Sequence, residues 1–260
     1  MKKDLLDTTF ITPIRVDSIN RLENLLMSLY SILDYFDTRF LLLESTSYPN
    51  YIIPELIKID SVKYIYLRDE DPIFYKTRLL NILTRQVNTP YICVWDADVV
   101  VDSLQVEDAV LQLRSGLCDI AYPYDGNFLD TSDILRAYYW EHRDIHFLQR
   151  HQGKMRSLYT VDGEIGALGG AFLAKTEKYI DAGMENENFY GWGLEDGERY
   201  YRWLELDYRI YRSAGCMFHL SHPRDINGRF RSKIHYQKAM HDMNIVVDYS
   251  CNDLKKTVNK

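Results

Sequence analysis

Through the first hundred positions the spacing of the apolar residues switches back and forth, and that alternation limits the possible folds more than any other feature. From Thr8 to Val16 a short apolar run, TTFITPIRV, reads as a strand. It runs into Asp17-Ser18, after which Ile19, Leu22, Leu25, Leu26, Leu29, Ile32 and Leu33 recur at helical spacing behind a Ser cap. RFLLLEST (39–46) is a second strand, followed by a Pro-bounded PELIK segment and the strand VKYIYLRD (62–69). The helix-like KTRLLNILTRQV (76–87) then leads to the strand YICVWDADVV (91–100). Strands and helices in this order are the rhythm of an open, largely parallel α/β sheet.

Beyond residue 100 the rhythm loosens. A helix-like VEDAVLQLRSG (106–116) and the strand DIAYPY (119–124) precede a long aromatic and charged stretch, helix-like over roughly 132–150. ALGGAFLAKT (167–176), a short helix near 177–183, the Gly/Trp segment NFYGWGLED (188–196), a helix DGERYYRWLEL and the strand YRIYRSAG (208–215) follow. A polar loop, HPRDINGRFR, leads into a last helix-like run. With no internal repeat, low-complexity tract or linker, residues 1–260 read as one domain, with a nucleotide-type first half at about 8–125 and a substrate-type second half at about 126–245.

Composition excludes several function classes. The 31 Lys and Arg against 38 Asp and Glu give a formal net charge of −7, which argues against a general attraction to nucleic acid or anionic lipid. Cys93, Cys118, Cys216 and Cys251 show no C-x-x-C spacing and no secretory h-region precedes them, so they are expected to be reduced thiols in a cytosol. No apolar run approaches the roughly 20 residues that a spanning helix needs, so any membrane contact is expected to be peripheral. A chain of 260 residues buries enough surface to fold without a structural metal, so a metal here needs a functional reason.

Three groups of residues carry chemistry. Asp96-Ala97-Asp98 closes the strand of Tyr91 to Trp95, and ligands of open α/β sheets bind outside the carboxyl ends of strands. Two carboxylates there suit Mg²⁺ or Mn²⁺ on a diphosphate, although a solvated turn after a core strand is the plainer reading. His219 and His222 stand three apart and can converge on one metal, whereas surface or capping histidines are commoner. In Tyr190-Gly191-Trp192-Gly193-Leu194-Glu195-Asp196, glycines flank a large aromatic and two carboxylates open a helix. The helix dipole alone would favour Glu195 and Asp196 there, and the same dipole keeps a general base ionised. Trp192 offers a ring to cover the apolar face of a sugar.

These residues carry a resemblance. GGAFLAKTEKYIDAGMENENFYGWGLED, followed by MFHLSHPRD, resembles the carboxyl-terminal region of the β-1,4-galactosyltransferase family and its bacterial capsule-synthesis relatives. The D-A-D lies upstream where that family's D-x-D lies. A weaker match covers Pro13-Ile14-Arg15 and Phe74-Tyr75-Lys76-Thr77-Arg78-Leu79-Leu80-Asn81, so the resemblance spans most of residues 8–235.

The resemblance implies a glycosyltransferase A (GT-A) fold, a single Rossmann-like open mixed sheet flanked by helices. It also implies inverting transfer of a hexose, galactose or N-acetylgalactosamine, from a UDP-sugar to an acceptor hydroxyl. Pro13, Ile14, Arg15, Phe74 and Lys76 fall where the family holds uridine and diphosphate, Lys76 replacing an Arg of the animal enzymes. Asp96, Ala97, Gly169, Gly170, Trp192 and Gly193 complete the implied donor site. Asp98, His219 and His222 fall on metal-ligand positions for Mn²⁺ or Mg²⁺, with His219 where the animal enzymes usually place a Met. Asp196 matches the catalytic base, Glu195 its acceptor-binding support, and Trp192 the mobile-loop aromatic. A lid would span about 223–235, with Arg224, Arg229 and Arg231. Ala167 stands where galactose-specific members carry a Tyr that crowds the donor's 2-position.

The expected setting is a bacterial cytosolic enzyme of capsule or lipopolysaccharide assembly, working on a glycan or lipid-linked sugar acceptor near the inner face of the membrane. Two other readings stay open at this stage. One is a non-catalytic domain that binds nucleotide sugar or glycan, and the other is a metal-dependent nucleotidyltransferase or hydrolase. The latter would not need the Trp192 loop, and no Gly-rich phosphate motif follows the first strand.

Overall fold

Alternation becomes architecture in the first seven elements. In the computed structural model, which describes residues 1–49, 51–159, 166–223 and 226–248, β1 (Lys3–Ile14) leads to α1 (Ile19–Leu33) and β2 (Phe36–Thr46). The Ser18 side chain caps α1 by accepting from the Arg21 amide, and Leu22, Leu25, Leu29 and Ile32 form the buried face. A short helix, α2 (Ile52–Leu56), precedes β3 (Val62–Arg68), and α3 (Lys76–Thr84) precedes β4 (Tyr91–Trp95). The expected strand over 91–100 ends at Trp95. After a turn the chain resumes as β5 (Val99–Val100), which pairs in a different sheet.

The remaining elements are α4 (Ser103–Arg114), β6 (Ile120–Tyr122), β7 (Phe128–Asp130), α5 (Asp133–His142), α6 (Ile145–His151) and β8 (Arg156–Leu158). They continue as β9 (Ala171–Lys175), α7 (Thr176–Asp181), α8 (Glu195–Glu205), β10 (Ile210–Arg212), β11 (Met217–His219) and α9 (Lys233–Asp248). The single helix expected over 132–150 is two helices. Arg143 is left-handed at φ 49°, and the Asp144 side chain caps the second helix by accepting from the Phe147 amide.

Seven strands make the main sheet in the order β10-β6-β9-β4-β1-β2-β3, with β9 antiparallel to both β4 and β6 and every other pairing parallel. This is the mixed, helix-flanked sheet expected from the resemblance. Beside it lies a four-stranded sheet, β5-β11-β7-β8, that the sequence reading did not separate out. Strands from both halves of the chain enter both sheets, so the main sheet is completed by β9 and β10. At its centre Phe10 stacks on Phe40 at 5.8 Å and meets the edge of Trp95 at 5.7 Å. The Trp95 indole N–H donates to Ser28 Oγ of α1 at 2.9 Å, which satisfies its polar atom inside the core.

Cys93, Cys118 and Cys216 are buried free thiols, and Cys251 lies outside the described residues. Among the described residues no helix is long and apolar enough to cross a membrane.

Candidate active site

From β1 the chain moves one way along the sheet to β2 and β3, and β4 then returns to the other side of β1. That reversal is a topological switch point, where a crevice opens at the carboxyl ends of the strands. A cavity of about 520 Å³ lies there, within the range of small-molecule sites. Pro13, Ile14 and Arg15 at the end of β1 line it, as do Asp96, Ala97 and Asp98 at the end of β4. Phe74, Lys76, Gly169, Gly170, Trp192, Gly193, Glu195, Asp196, His219 and His222 line the same cavity. The donor-site, metal-ligand and base candidates read from the sequence therefore all line one cavity.

The Asp96–Asp98 turn is held from three sides. The Asp96 amide donates to the Gly170 carbonyl at 2.8 Å, Ser28 Oγ donates to the Asp96 carbonyl at 3.1 Å, and the Leu220 amide donates to the Asp98 carbonyl at 2.8 Å. On Asp96 itself, Lys76 Nζ sits 2.7 Å from one carboxylate oxygen. Burial pushes the Asp96 acid upward, Lys76 pulls it back, and the neighbouring Asp98 and Asp196 carboxylates leave it raised.

Asp98 faces the two histidines, with its Oδ2 3.0 Å from His222 Nε2 and 3.6 Å from His219 Nε2. Burial would raise its acid, but the histidines outweigh burial and hold it well below the usual carboxylate range. His219 Nδ1 lies 2.7 Å from a carboxylate oxygen of Asp130 and His222 Nδ1 lies 2.9 Å from the Pro223 carbonyl. Carboxylate and carbonyl oxygens accept, so a hydrogen on each Nδ1 satisfies these two contacts, and each Nε2 is turned toward Asp98. One atom from each of Asp98, His219 and His222 lies within 4.8 Å of the others, so this donor set fits a divalent cation.

The same cavity is lined by the start of α8, with its acidic first turn. Asp196 Oδ1 accepts from Arg199 at 2.7 Å, and a Cβ placed on Gly169 would stand 2.2 Å from Asp196 Oδ2. Only a glycine lets the backbone come this close to the carboxylate. Burial raises the Asp196 acid, but Arg199 and Lys76 more than compensate and leave it below its ordinary value. Glu195 behaves oppositely. Burial and the charge of Asp196 push its acid up to about 7, while its Oε2 accepts from the Gly193 amide at 2.9 Å.

Trp192 is half-buried, with its ring 5.4 Å from Phe230 in edge contact and 6.4 Å from Tyr159. At Gly193 φ is +113° and a Cβ would meet the Phe230 ring at 2.6 Å, so the turn requires glycine twice over. Leu194 follows at φ 69°, a costly value for a branched side chain and one found most often at functional sites.

Arg15 lines the cavity while fastening the 69–72 loop. It donates to the carbonyls of Ser45 and Asp71 at 2.9 and 2.8 Å and lies 5.7 Å over the Phe74 ring. Of the lid expected at 223–235, Arg224 and Asp225 lie outside the described residues. Asn227 accepts from the Phe74 amide at 2.9 Å, and Arg231 lies 4.4 Å over the Tyr190 ring. Sequence reasoning missed Tyr159 and Phe230 on the wall, and Asp130, Glu185 and Arg199 behind it.

Residues 154–224 match a family model described as the N-terminal domain of galactosyltransferase, a span that holds the Gly-Gly, Trp192 and histidine motifs. The resemblance read from those motifs is borne out there. No curated protein matches the chain. Among solved structures, that of S. aureus TarS 1-349 in complex with UDP-GlcNAc is similar with a TM-score of 0.63 at 11% identity, covering 99% of this chain and 70% of that one. The mannosyltransferase PcManGT from Pyrobaculum calidifontis, in complex with GDP-Man and Mn²⁺, is similar with a TM-score of 0.59 at 13% identity, covering 97% and 67%. The chain has the GT-A glycosyltransferase fold. Fold and family match together support a sugar-transferring enzyme.

Proposed function

We propose that this GT-A chain transfers galactose or N-acetylgalactosamine from a UDP-sugar to a hydroxyl of a glycan or lipid-linked acceptor, inverting the anomeric centre, in surface polysaccharide synthesis. One observation carries the reading: a cation-type donor set and a carboxylate whose acid is held below its ordinary value line one cavity at the switch point. The nucleotide-sugar donors of the two similar structures support the donor class.

Pro13, Ile14, Arg15 and Phe74 would flank the uridine, and Lys76 would bring a positive charge to the diphosphate. Asp98, His219 and His222 would hold Mn²⁺ or Mg²⁺, leaving Asp96 to Lys76 and the ribose. When bound, that cation supplies Lewis-acid neutralisation of the charge developing on the departing diphosphate. Asp196 receives the acceptor hydroxyl's proton as that oxygen bonds to the anomeric carbon and the carbon–phosphate oxygen bond breaks on the opposite face. Arg199 holds one Asp196 oxygen and so aims the other. Glu195 fixes the Gly193 amide and with it the Trp192 turn, while Trp192, Tyr159 and Phe230 keep water from the donor.

The test is incubation with UDP-galactose and UDP-N-acetylgalactosamine, acceptor sugars and Mn²⁺, with products read by mass spectrometry. Transfer of an intact hexose with inverted linkage is the expected result. Tight donor binding with no turnover on any acceptor would favour the non-catalytic alternative, and absence of donor binding would overturn the reading.

A further inference from the structure

Short strands set the surroundings of His219. In the four-stranded sheet β11 lies between β5 and β7, so His219 stands opposite Val99, the residue after Asp98, and opposite Asp130 on the other side. Register partners share a face of a sheet, which brings Asp130 onto the His219 ring. β8 adds the next step, because Arg156 is the register partner of Asp130. Arg156 donates to Asp130 Oδ2 at 2.7 Å while Asp130 Oδ1 faces His219 Nδ1 at 2.7 Å. The carboxylate is thereby clamped at both oxygens, and the buried imidazole is turned so that Nε2 faces Asp98.

We propose that Asp130 is the positioning residue of the cation site, holding His219 in the Nδ1–H tautomer with Nε2 directed at the ion. This rests on the reading of Asp98, His219 and His222 as cation ligands. A Met ligand, as the resemblance has at this position, has one donor atom and no tautomer to choose. A His has two nitrogens, and only an acceptor on Nδ1 makes Nε2 the ligand. The Asp130–Arg156 pair on neighbouring strands is therefore the counterpart of the His in this chain. His222 takes its corresponding partner from the chain itself, at the Pro223 carbonyl.

Two measurements on the full chain test this. Long-range proton–nitrogen NMR of protein labelled with ¹⁵N-histidine, without metal, is expected to report His219 with hydrogen on Nδ1. Finding the neutral ring with hydrogen only on Nε2 would overturn the proposal whatever the variants do. Mn²⁺ binding in the presence of UDP, read as loss of the free-ion electron paramagnetic resonance signal, is expected to weaken about 10- to 100-fold in Asp130→Ala. Asp130→Asn should recover much of that loss, because its amide oxygen still accepts from Nδ1. Unchanged Mn²⁺ affinity in Asp130→Ala, with binding lost in Asp98→Ala, would reject the positioning role and leave the cation site standing. If wild type itself takes up no Mn²⁺ with UDP, the cation reading falls and this proposal falls with it.

Discussion

Arg199 Nη2 lies 2.7 Å from Asp196 Oδ1 one helical turn away, while Nη1 of the same guanidinium reaches both oxygens of Glu185 at 2.9 and 2.8 Å. A buried cation shared by two carboxylates fixes Asp196 in place and favours its ionised form. Asp196→Asn is expected to retain fold and UDP-sugar affinity while kcat falls roughly 10²-fold or more, the usual worth of a positioned base. Arg199→Lys keeps a charge but cannot span both partners. The acid of Asp196 should then rise toward its ordinary value, moving the acid limb of the kcat profile to higher pH. A larger loss in Glu195→Gln beside a near-normal Asp196→Asn would reverse the assignment.

Gly169 gives a second test of the same carboxylate from the opposite side. A methyl group at this position would stand 2.2 Å from Asp196 Oδ2, closer than any real contact, so either the carboxylate or the backbone leading into β9 must shift. Misplacing a reacting group by about an ångström costs on the order of 10²-fold in rate. Gly169→Ala is therefore expected to lose kcat by roughly that factor, with circular dichroism unchanged. Normal turnover would show that Oδ2 is not the reacting oxygen.

Glu195 ties stability to pH. Its acid is pushed from 4.5 up to about 7 by burial and by Asp196, so ionising it works against the folded state. The stability it contributes is fully present below 4.5 and is lost as pH rises through about 7. The loss amounts to at most about 3 kcal/mol, at 1.36 kcal/mol per tenfold change in acidity. Glu195→Gln keeps an acceptor for the Gly193 amide and cannot ionise. Its Tm relative to wild type should therefore be higher at pH 8 than at pH 5, and a pH-independent difference would contradict the raised acid.

The sequence made the β1 to β4 half legible because each apolar run there is long enough to show its period. β7, β8 and β11 have three residues each and β5 has two, too few for periodicity to register. The second sheet was hidden for that reason. The break at Arg143-Asp144 carried a readable signal, an Asp three residues before an amide that it caps, but the surrounding aromatic and charged pattern overrode it. Site residues at strand ends and in compact motifs were visible. Asp130 was not, because it meets His219 across 89 positions through the register of two short strands. Arg199 lay inside a helix whose charged face reads as solvated, whereas Arg199, Arg202 and Glu198 are buried.

Donor choice turns on Ala167, where the resemblance sets a Tyr in galactose-specific members. Ala167 lines the cavity next to Leu168 and Gly169. Its backbone is pinned, with the amide donating to the Gly126 carbonyl at 2.9 Å and its own carbonyl 2.9 Å from the Tyr124 hydroxyl. The small side chain therefore stays where it is rather than drifting to admit a neighbour. Tyr190, a large residue able in principle to refill the space, is committed elsewhere, its hydroxyl donating to Asp71 at 2.5 Å. A bulky residue at position 167 would reject an added N-acetyl group by overlap, and alanine removes that repulsive element. UDP-N-acetylgalactosamine is accordingly expected to be used at least as well as UDP-galactose. Ala167→Tyr should shift the kcat/KM ratio toward UDP-galactose by 10-fold or more, since excluding a few heavy atoms is worth about 1–3 kcal/mol. A wild type that strongly prefers UDP-galactose, or a Tyr variant with an unchanged ratio, would place the discrimination at another wall of the cavity.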